Sequence, residues 1–224
     1  LVMIEQLFPN VDWSKMWDAT IETFYMTAAS TLLTFVFGLA LGLLLFLSGP
    51  GHLWSNKLIH TVTGGVVNIF RSIPFIILII LLIPFTGYLL GTVRGPNAAL
   101  PALIIGSAPF YGRMVLIALR EIDKGVIEAA KSMGAKTSTI IFKVLLPESM
   151  PALISGITVT AIALVGYTAM AGAIGAGGLG TLAYFDGFHR NRNDITAMAT
   201  ILILIIVFII QFIGDIAVKK FDNR

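Results

Sequence analysis

The stretch ILILIIVFII, at Ile201–Ile210, is ten consecutive apolar residues. It lacks the alternation of apolar and polar residues that marks a strand with one wetted face. The apolar character extends from about residue 195 to 218, which is long enough for a helix rising ~1.5 Å per residue to cross a ~30 Å hydrocarbon core. Backbone groups in lipid must be bonded within the segment, so this stretch predicts a transmembrane helix.

Four further stretches share this character, at about 20–47, 58–90, 97–118 and 152–174. Hydrophobic residues make up 57% of the 224-residue chain and charged residues 12%, where soluble domains carry roughly 25% charged residues. This composition excludes an ordinary soluble enzyme and a disordered chain. We therefore predict an all-α integral membrane protein with five transmembrane helices.

The distribution of Lys and Arg predicts the orientation, because basic residues concentrate in cytoplasmic loops. With the N-terminus outside, residues 1–19 form an outer segment and 219–224 a cytoplasmic tail. The net charge of +3 then reflects membrane topology, and no nucleic-acid partner is expected. Four basic residues lie outside (Lys15, Arg94, Arg190, Arg192) and ten inside (Lys57, Arg113, Arg120, Lys124, Lys131, Lys136, Lys143, Lys219, Lys220, Arg224).

Small and hydroxyl residues recur along one face of the first span, with a mean spacing of 3.67 residues. Such residues let helices approach closely in lipid, and they could instead line a polar path. The residues are Thr20, Thr23, Thr27, Thr31, Thr34, Gly38 and Gly42. Three outer acids, Asp12, Asp18 and Glu22, are interpreted as a solvated face.

The second span contains Arg71, Ser72 and Pro74. Pro74 has no backbone N–H and predicts a kink. An arginine at membrane depth is costly and is usually paired or functional. Arg71 therefore lies in a cavity or in an interhelical bond, unless it extends to the interface.

The longest charged stretch, about 120–148, joins the third and fourth spans. Asp123 is a candidate N-cap, and Ile127, Ala130 and Met133 follow at helical spacing. Gly134 can adopt a positive φ and end this short helix.

A second short helix is predicted after Gly134, with Thr137 as its cap. Its apolar face comprises Ile140, Ile141, Val144 and Leu145, and Pro147 and Pro151 mark the return to the membrane. The pair of helices is either an interfacial hairpin on lipid headgroups or a docking element for a cytoplasmic partner.

The spacing of this stretch resembles the EAA loop of ABC importer permeases. Glu128-Ala129-Ala130, Gly134, Val144 and Leu146-Pro147 match the family pattern, with Val144 where the family has isoleucine. The resemblance implies a coupling helix that fits a groove on an ATP-hydrolysing subunit. The implied coupling residues are Glu128, Ala129, Ala130, Lys131, Gly134, Ala135, Lys136, Leu146 and Pro147.

Other segments are similar to permeases of methionine importers: 68–87 (NIFRSIPFIILIILLIPFTG), 106–115 (GSAPFYGRMV), 164–180 (LVGYTAMAGAIGAGGLG) and 211–215 (QFIGD). The resemblance implies methionine as the cargo, as the L-isomer, the D-isomer or both, with another amino acid, a methionine-containing dipeptide or a betaine as alternatives. A membrane scaffold without transport is the remaining alternative. The polarity, the kink and the resemblance together suggest Arg71, Ser72, Pro74, Gly166, Tyr167 and Met170 as residues of the path or its gate.

The resemblance also implies the partners and the location. A homodimer of this chain would bind two cytoplasmic ATP-binding cassette subunits and an external substrate-binding lipoprotein in a bacterial cell membrane. Transport would proceed by alternating access, with ATP and Mg held on the ATPase and no bond chemistry on this chain.

Two further motifs do not indicate chemistry. Gly175, Gly177 and Gly180 form GxGxxG after a membrane span, without the preceding strand and distant acid of a dinucleotide site, and we interpret them as an outer turn. No Walker A motif occurs, and His52, His60 and His189 lack the spacing of metal ligands.

Overall fold

The computed structural model describes residues 8–221, so residues 1–7 of the predicted outer segment and 222–224 of the predicted tail lie outside the described residues. Within the described part the chain is helical and has no strand. The helices are α1 (Trp13–Ser48), α2 (Lys57–Ser72), α3 (Phe75–Leu90), α4 (Pro96–Arg120), α5 (Lys124–Ser132), α6 (Thr137–Gly172), α7 (Gly178–Thr181), which a π-helical segment (Leu182–Phe188) continues, and α8 (Asn193–Phe221).

Four of these helices, α1, α4, α6 and α8, are long and apolar enough to cross a membrane. The helices α2 and α3 meet the same criterion as a pair, bent by 110° at their break. The all-α membrane fold is thereby confirmed, with the bent pair taking the place of the second span. Two helices begin earlier than expected, α1 at Trp13 and α6 at Thr137.

The break between α2 and α3 is an interruption of the helix rather than a kink within it. Pro74 is the N-cap of α3, with ψ at 133°. Its carbonyl accepts the Ile77 and Leu78 amides at 2.9 and 3.0 Å. Pro84, inside α3, leaves that helix intact over Phe75–Leu90.

The chain divides into two compact units, each with its own core. The first unit comprises residues up to 32 together with 73–106 and 161–211. Met26, Leu103 and Leu164 are fully buried in one of its apolar clusters, and Leu179 and Ala199 in another.

The second unit comprises residues 33–72 and 107–160 and those from 212 onward. Its core is built around Tyr111, which is fully buried and donates its hydroxyl to the Leu153 carbonyl at 3.2 Å. The short helix α5 contributes to the same cluster through Ile127 and Ala130.

The small-residue face of α1 is a packing surface. Thr23 and Thr27 are buried in the first unit, and their hydroxyls donate to carbonyls one turn earlier, at 2.9 and 2.8 Å. In the second unit Gly42 lies so close to α4 that an added Cβ would fall 2.4 Å from the Val115 Cβ. This arrangement supports close helix packing for these residues.

We predict that Gly42→Ala destabilises the protein by about 1–3 kcal/mol, because the new methyl group would overlap Val115 and the Gly112 carbonyl. The matched variant is Gly65→Ala, a helical position with no atom within 4 Å of the new Cβ. That variant is expected to gain up to ~1 kcal/mol of helix propensity. Thermal unfolding of the purified variants in detergent measures both, and equal melting temperatures would contradict the close contact.

Candidate coupling site

The short helix α5 begins as the sequence predicts. Asp123 is its N-cap, and its side chain accepts the Gly125 amide at 2.6 Å. This bond satisfies one of the N–H groups that the first turn of a helix leaves without an intrahelical partner.

The two faces of α5 differ in their surroundings. Ile127 and Ala130 are buried in the core of the second unit, whereas Glu128 and Ala129 are exposed. Met133 is 81% exposed, so its predicted place on the apolar face is wrong. The helix ends at Ser132. Met133 therefore lies beyond the helix, although its spacing from Ile127 and Ala130 is helical.

The end of α5 is a Schellman motif at Gly134, which confirms the predicted stop. Gly134 has a φ of +74°, and its amide donates to the Lys131 carbonyl at 2.9 Å. The Ala135 amide donates to the Ala130 carbonyl at 3.1 Å. These two bonds define the motif and favour glycine at the left-handed position.

The helix α6 begins one residue earlier than the sequence predicts. Its N-cap is Lys136, without a side-chain capping bond, so the expected cap at Thr137 is wrong. The predicted apolar face is present: Ile140 and Leu145 are fully buried and Ile141 is nearly so.

The two prolines after this face do not interrupt the helix. The sequence predicted that they mark the end of the loop and the return to the membrane. Pro147 and Pro151 both lie inside α6. A π-helical turn, Ile141–Leu145, precedes them, and the Leu146 amide donates to the Ile141 carbonyl five residues back. Such turns accommodate a residue that breaks the regular hydrogen-bond pattern, and proline has no N–H to contribute to it.

The predicted coupling residues all lie in the second unit, on α5, on the turn after it and on the first turns of α6. Ala130 and, in part, Ala135 and Leu146 pack against its core. Glu128, Ala129, Lys131, Gly134, Lys136 and Pro147 are exposed. The result is a capped helix held from one side, whose free face carries one acidic, one small and one basic residue within a single turn (Glu128, Ala129 and Lys131).

The predicted path residues fall into both units. In the second, Arg71 and Ser72 are exposed, and the Ser72 hydroxyl donates to the Asn68 carbonyl at 2.8 Å. In the first, the Tyr167 ring stacks on Phe75, with centroids 4.4 Å apart and planes at 9°.

Gly166 and Met170 lie one helical turn apart on an exposed face of α6. An added Cβ at Gly166 would meet no atom within 4 Å. This face is therefore free in the described residues, with the stacked Tyr167 held beside it.

His52 lies near the charged residues of α5, and no pattern in the sequence predicts this position. Its ring packs on Phe46 at 4.2 Å between centroids. Partial burial, together with the positive charges of Arg120, Lys124 and Lys131, lowers the pKa of His52. These partners are distant in sequence, so only the fold brings them together.

Glu22 is one of three acids that the sequence placed on a solvated face. Asp12 and Asp18 are exposed, whereas for Glu22 that interpretation is wrong. Its carboxylate accepts the Gly178 amide at 2.6 Å in the first unit. No group of three or more His, Asp or Glu side chains with the geometry of a metal site occurs in residues 8–221.

We predict that Gly134→Val disrupts the end of α5, because a β-branched residue at positive φ costs roughly 1–2 kcal/mol. Amide hydrogen exchange in residues 124–135 should accelerate about tenfold. Gly134→Asn is the matched variant, since asparagine tolerates the left-handed conformation. Unchanged protection in Gly134→Val would refute the role of the motif.

Comparison with known proteins identifies the family. Residues 35–224 match the family model of binding-protein-dependent transport system inner membrane components. The chain is 69% identical over 222 residues to the methionine import system permease protein MetP of Bacillus subtilis, covering 99% of this chain and 100% of that protein. It is 48% identical over 212 residues to a probable D-methionine transport system permease protein MetI of Pasteurella multocida, covering 95% and 98%.

Solved structures agree with these relatives. A chain of the MetNI methionine ABC transporter in an inward-facing conformation superposes with a TM-score of 0.92 at 44% identity, covering 94% of this chain and 98% of that one. With the capped α5 element and the family match across most of the sequence, the chain belongs to the binding-protein-dependent transport system inner membrane components, the permease subunits of ABC importers.

Proposed function

We propose that this chain is the permease subunit of an ATP-driven methionine importer. The observation that carries the cargo is the 69% identity to the Bacillus subtilis methionine import permease across essentially the whole of both chains. The likeness to the MetNI methionine transporter at a TM-score of 0.92 supports the same cargo.

The proposed assembly is a homodimer of this chain with two cytoplasmic ATP-binding cassette subunits and an external substrate-binding lipoprotein. ATP and Mg are held by the cassette subunits, and this chain performs no bond chemistry. In this assembly α5 lies on the cytoplasmic side and the N-terminus outside, as the distribution of basic residues predicts.

The geometry of α5 supports its role as the coupling helix. Ile127 and Ala130 hold one face in the core of the second unit, so a force on the opposite face is transmitted to that core. Glu128 and Ala129 project from the opposite face, where a groove of the ATPase would receive them. Closure of the ATPase dimer would then move α5 as a rigid body and switch the permease between its two orientations.

The proposed path includes the free face of α6 at Gly166 and Met170, with Tyr167 fixed by its stack on Phe75. Arg71, Ser72 and Pro74 are proposed for the same path. The exposed thioether and the aromatic ring provide the apolar contacts that a methionine side chain would make in passing.

The first test is uptake of labelled L-methionine by an auxotroph that lacks its own methionine importers. The cells express this chain with its genomic neighbours that encode the ATPase and the binding protein. Wild-type chain should restore uptake, and Glu128→Lys should reduce it at least tenfold because a reversed charge in a desolvated contact is strongly unfavourable.

The matched control is Glu121→Lys, which reverses an exposed glutamate outside α5. Uptake at the wild-type level in Glu128→Lys would remove the coupling role. A complex that hydrolyses ATP but takes up no methionine would assign the permease to a dipeptide, a betaine or another amino acid.

A second prediction concerns Lys131 and Lys136, which are exposed at the end of α5 and the start of α6. We expect them to pair with acids on the ATPase, so that Lys131→Glu with Lys136→Glu weakens subunit association about tenfold. Lys57→Glu, at the start of α2, is the control. Unchanged assembly and coupled ATP hydrolysis in the double variant would refute the pairing.

A further inference from the structure

A pair of hydrogen bonds in the first unit joins α1 to the glycine-rich turn, defined here as residues 173–178, which lead from the end of α6 into the first residue of α7. The Gly178 amide donates to the Glu22 Oε2 atom at 2.6 Å. The Leu179 amide donates to the Thr23 Oγ1 atom at 2.8 Å. Both donors lie at the start of α7, where backbone N–H groups have no intrahelical partner.

The approach of the turn to α1 requires glycine at two positions. Gly177 and Gly178 have φ values of +86° and +74°. A Cβ on Gly177 would lie 2.6 Å from the Glu22 carboxylate, and one on Gly178 would lie 2.6 Å from the Thr23 hydroxyl. The backbone therefore reaches the two side chains only because both positions lack a Cβ.

The same turn is held from two other sides within the first unit. The Gly95 amide donates to the Gly175 carbonyl at 3.1 Å. The Thr181 hydroxyl donates to the carbonyls of Gly172 and Gly177 at 2.8 and 2.9 Å. Ala176, inside the turn, is buried in the apolar cluster around Met26.

Glu22 is the only charged partner among these contacts, and it has no ion pair among the salt bridges of residues 8–221. Glu22 is half-buried near the beginning of the apolar stretch of α1, and a carboxylate removed from water is costly unless hydrogen-bond donors stabilise it. A charge-assisted bond to an N–H group is among the stronger hydrogen bonds in proteins. Removing the carboxylate would leave the buried Gly178 amide without this acceptor.

We propose that Glu22 is a positioning residue for transport, which with Thr23 tethers the glycine-rich turn to α1 so that the two move as one body. The tether fixes the end of α6, where Gly166, Tyr167 and Met170 precede the turn. This inference rests on the proposed function for its transport consequence, whereas the tether itself is a property of the fold.

The tether is tested by thiol labelling, since the natural chain contains no cysteine. Ala176→Cys places a single buried thiol in the turn. In the assembled complex its reaction with a maleimide should be slow, and adding Glu22→Ala should accelerate it roughly tenfold, the order expected for loss of one hydrogen bond to a charged group. Glu22→Gln should stay slow, because its amide oxygen still accepts the Gly178 amide.

Transport is measured on the same variants without the cysteine. Glu22→Ala should lower methionine uptake about tenfold while ATP hydrolysis stays near wild type and the melting temperature falls by only a few degrees, as expected for one lost hydrogen bond, and Glu22→Gln should restore uptake. A merely structural role would lower the melting temperature and ATP hydrolysis together with uptake. That outcome, or full uptake in Glu22→Ala, would overturn the positioning role.

A second pair covers the case in which Glu22→Ala does not fold. Thr23→Val removes the acceptor of the Leu179 amide at nearly constant shape, and Thr23→Ser retains it. Faster labelling in Thr23→Val but not in Thr23→Ser supports the tether, and equal labelling rates in the two variants refute it. If the wild-type chain takes up no methionine, the cargo assignment fails while the labelling contrast still decides the tether.

Discussion

Peptide groups inside a bilayer have no water to bond, and this constraint governs both the helices and their interruptions. Where the chain leaves the helical path within its apolar stretches, other groups complete its hydrogen bonds. At the start of α3 the Pro74 carbonyl accepts two amides of the new helix. At the start of α7 the amides of Gly178 and Leu179 are accepted by side chains of α1. At the start of α7 two amides that lack intrahelical acceptors thus find side-chain acceptors on another helix.

Local features of the fold follow from the sequence because their causes lie within one helical turn. The apolar stretches predict the spans, Asp123 predicts the start of α5, and Gly134 predicts its end. The partnership of Glu22 with Gly178 could not be predicted in this way. The two residues are 156 positions apart, and an acid near the beginning of a span looks the same in the sequence whether water or a distant backbone amide donates to its carboxylate.

Two errors in the sequence interpretation have a common origin in helix ends. Met133 continues the spacing of Ile127 and Ala130, yet the helix ends at Ser132, and the Schellman bonds at Gly134 turn the chain so that Met133 does not face the core. Pro147 and Pro151 suggest a boundary, yet the π-helical turn before them lets α6 continue. In both cases the sequence pattern is present as described, but the backbone hydrogen bonds at the helix end determine where the helix stops or continues.

The interactions that stabilise α5 also determine how its variants can be interpreted. A helix of nine residues is too short to be stable alone in water, so α5 depends on its two caps and on the burial of Ile127 and Ala130. Substitutions on that buried face change the fold as well as the contact with a partner. The side chains of Glu128 and Ala129 contribute to neither the caps nor the core. A loss of transport on changing Glu128 is therefore attributable to a lost contact of the free face and not to unfolding of α5. This makes Glu128 the most direct test of the proposed coupling.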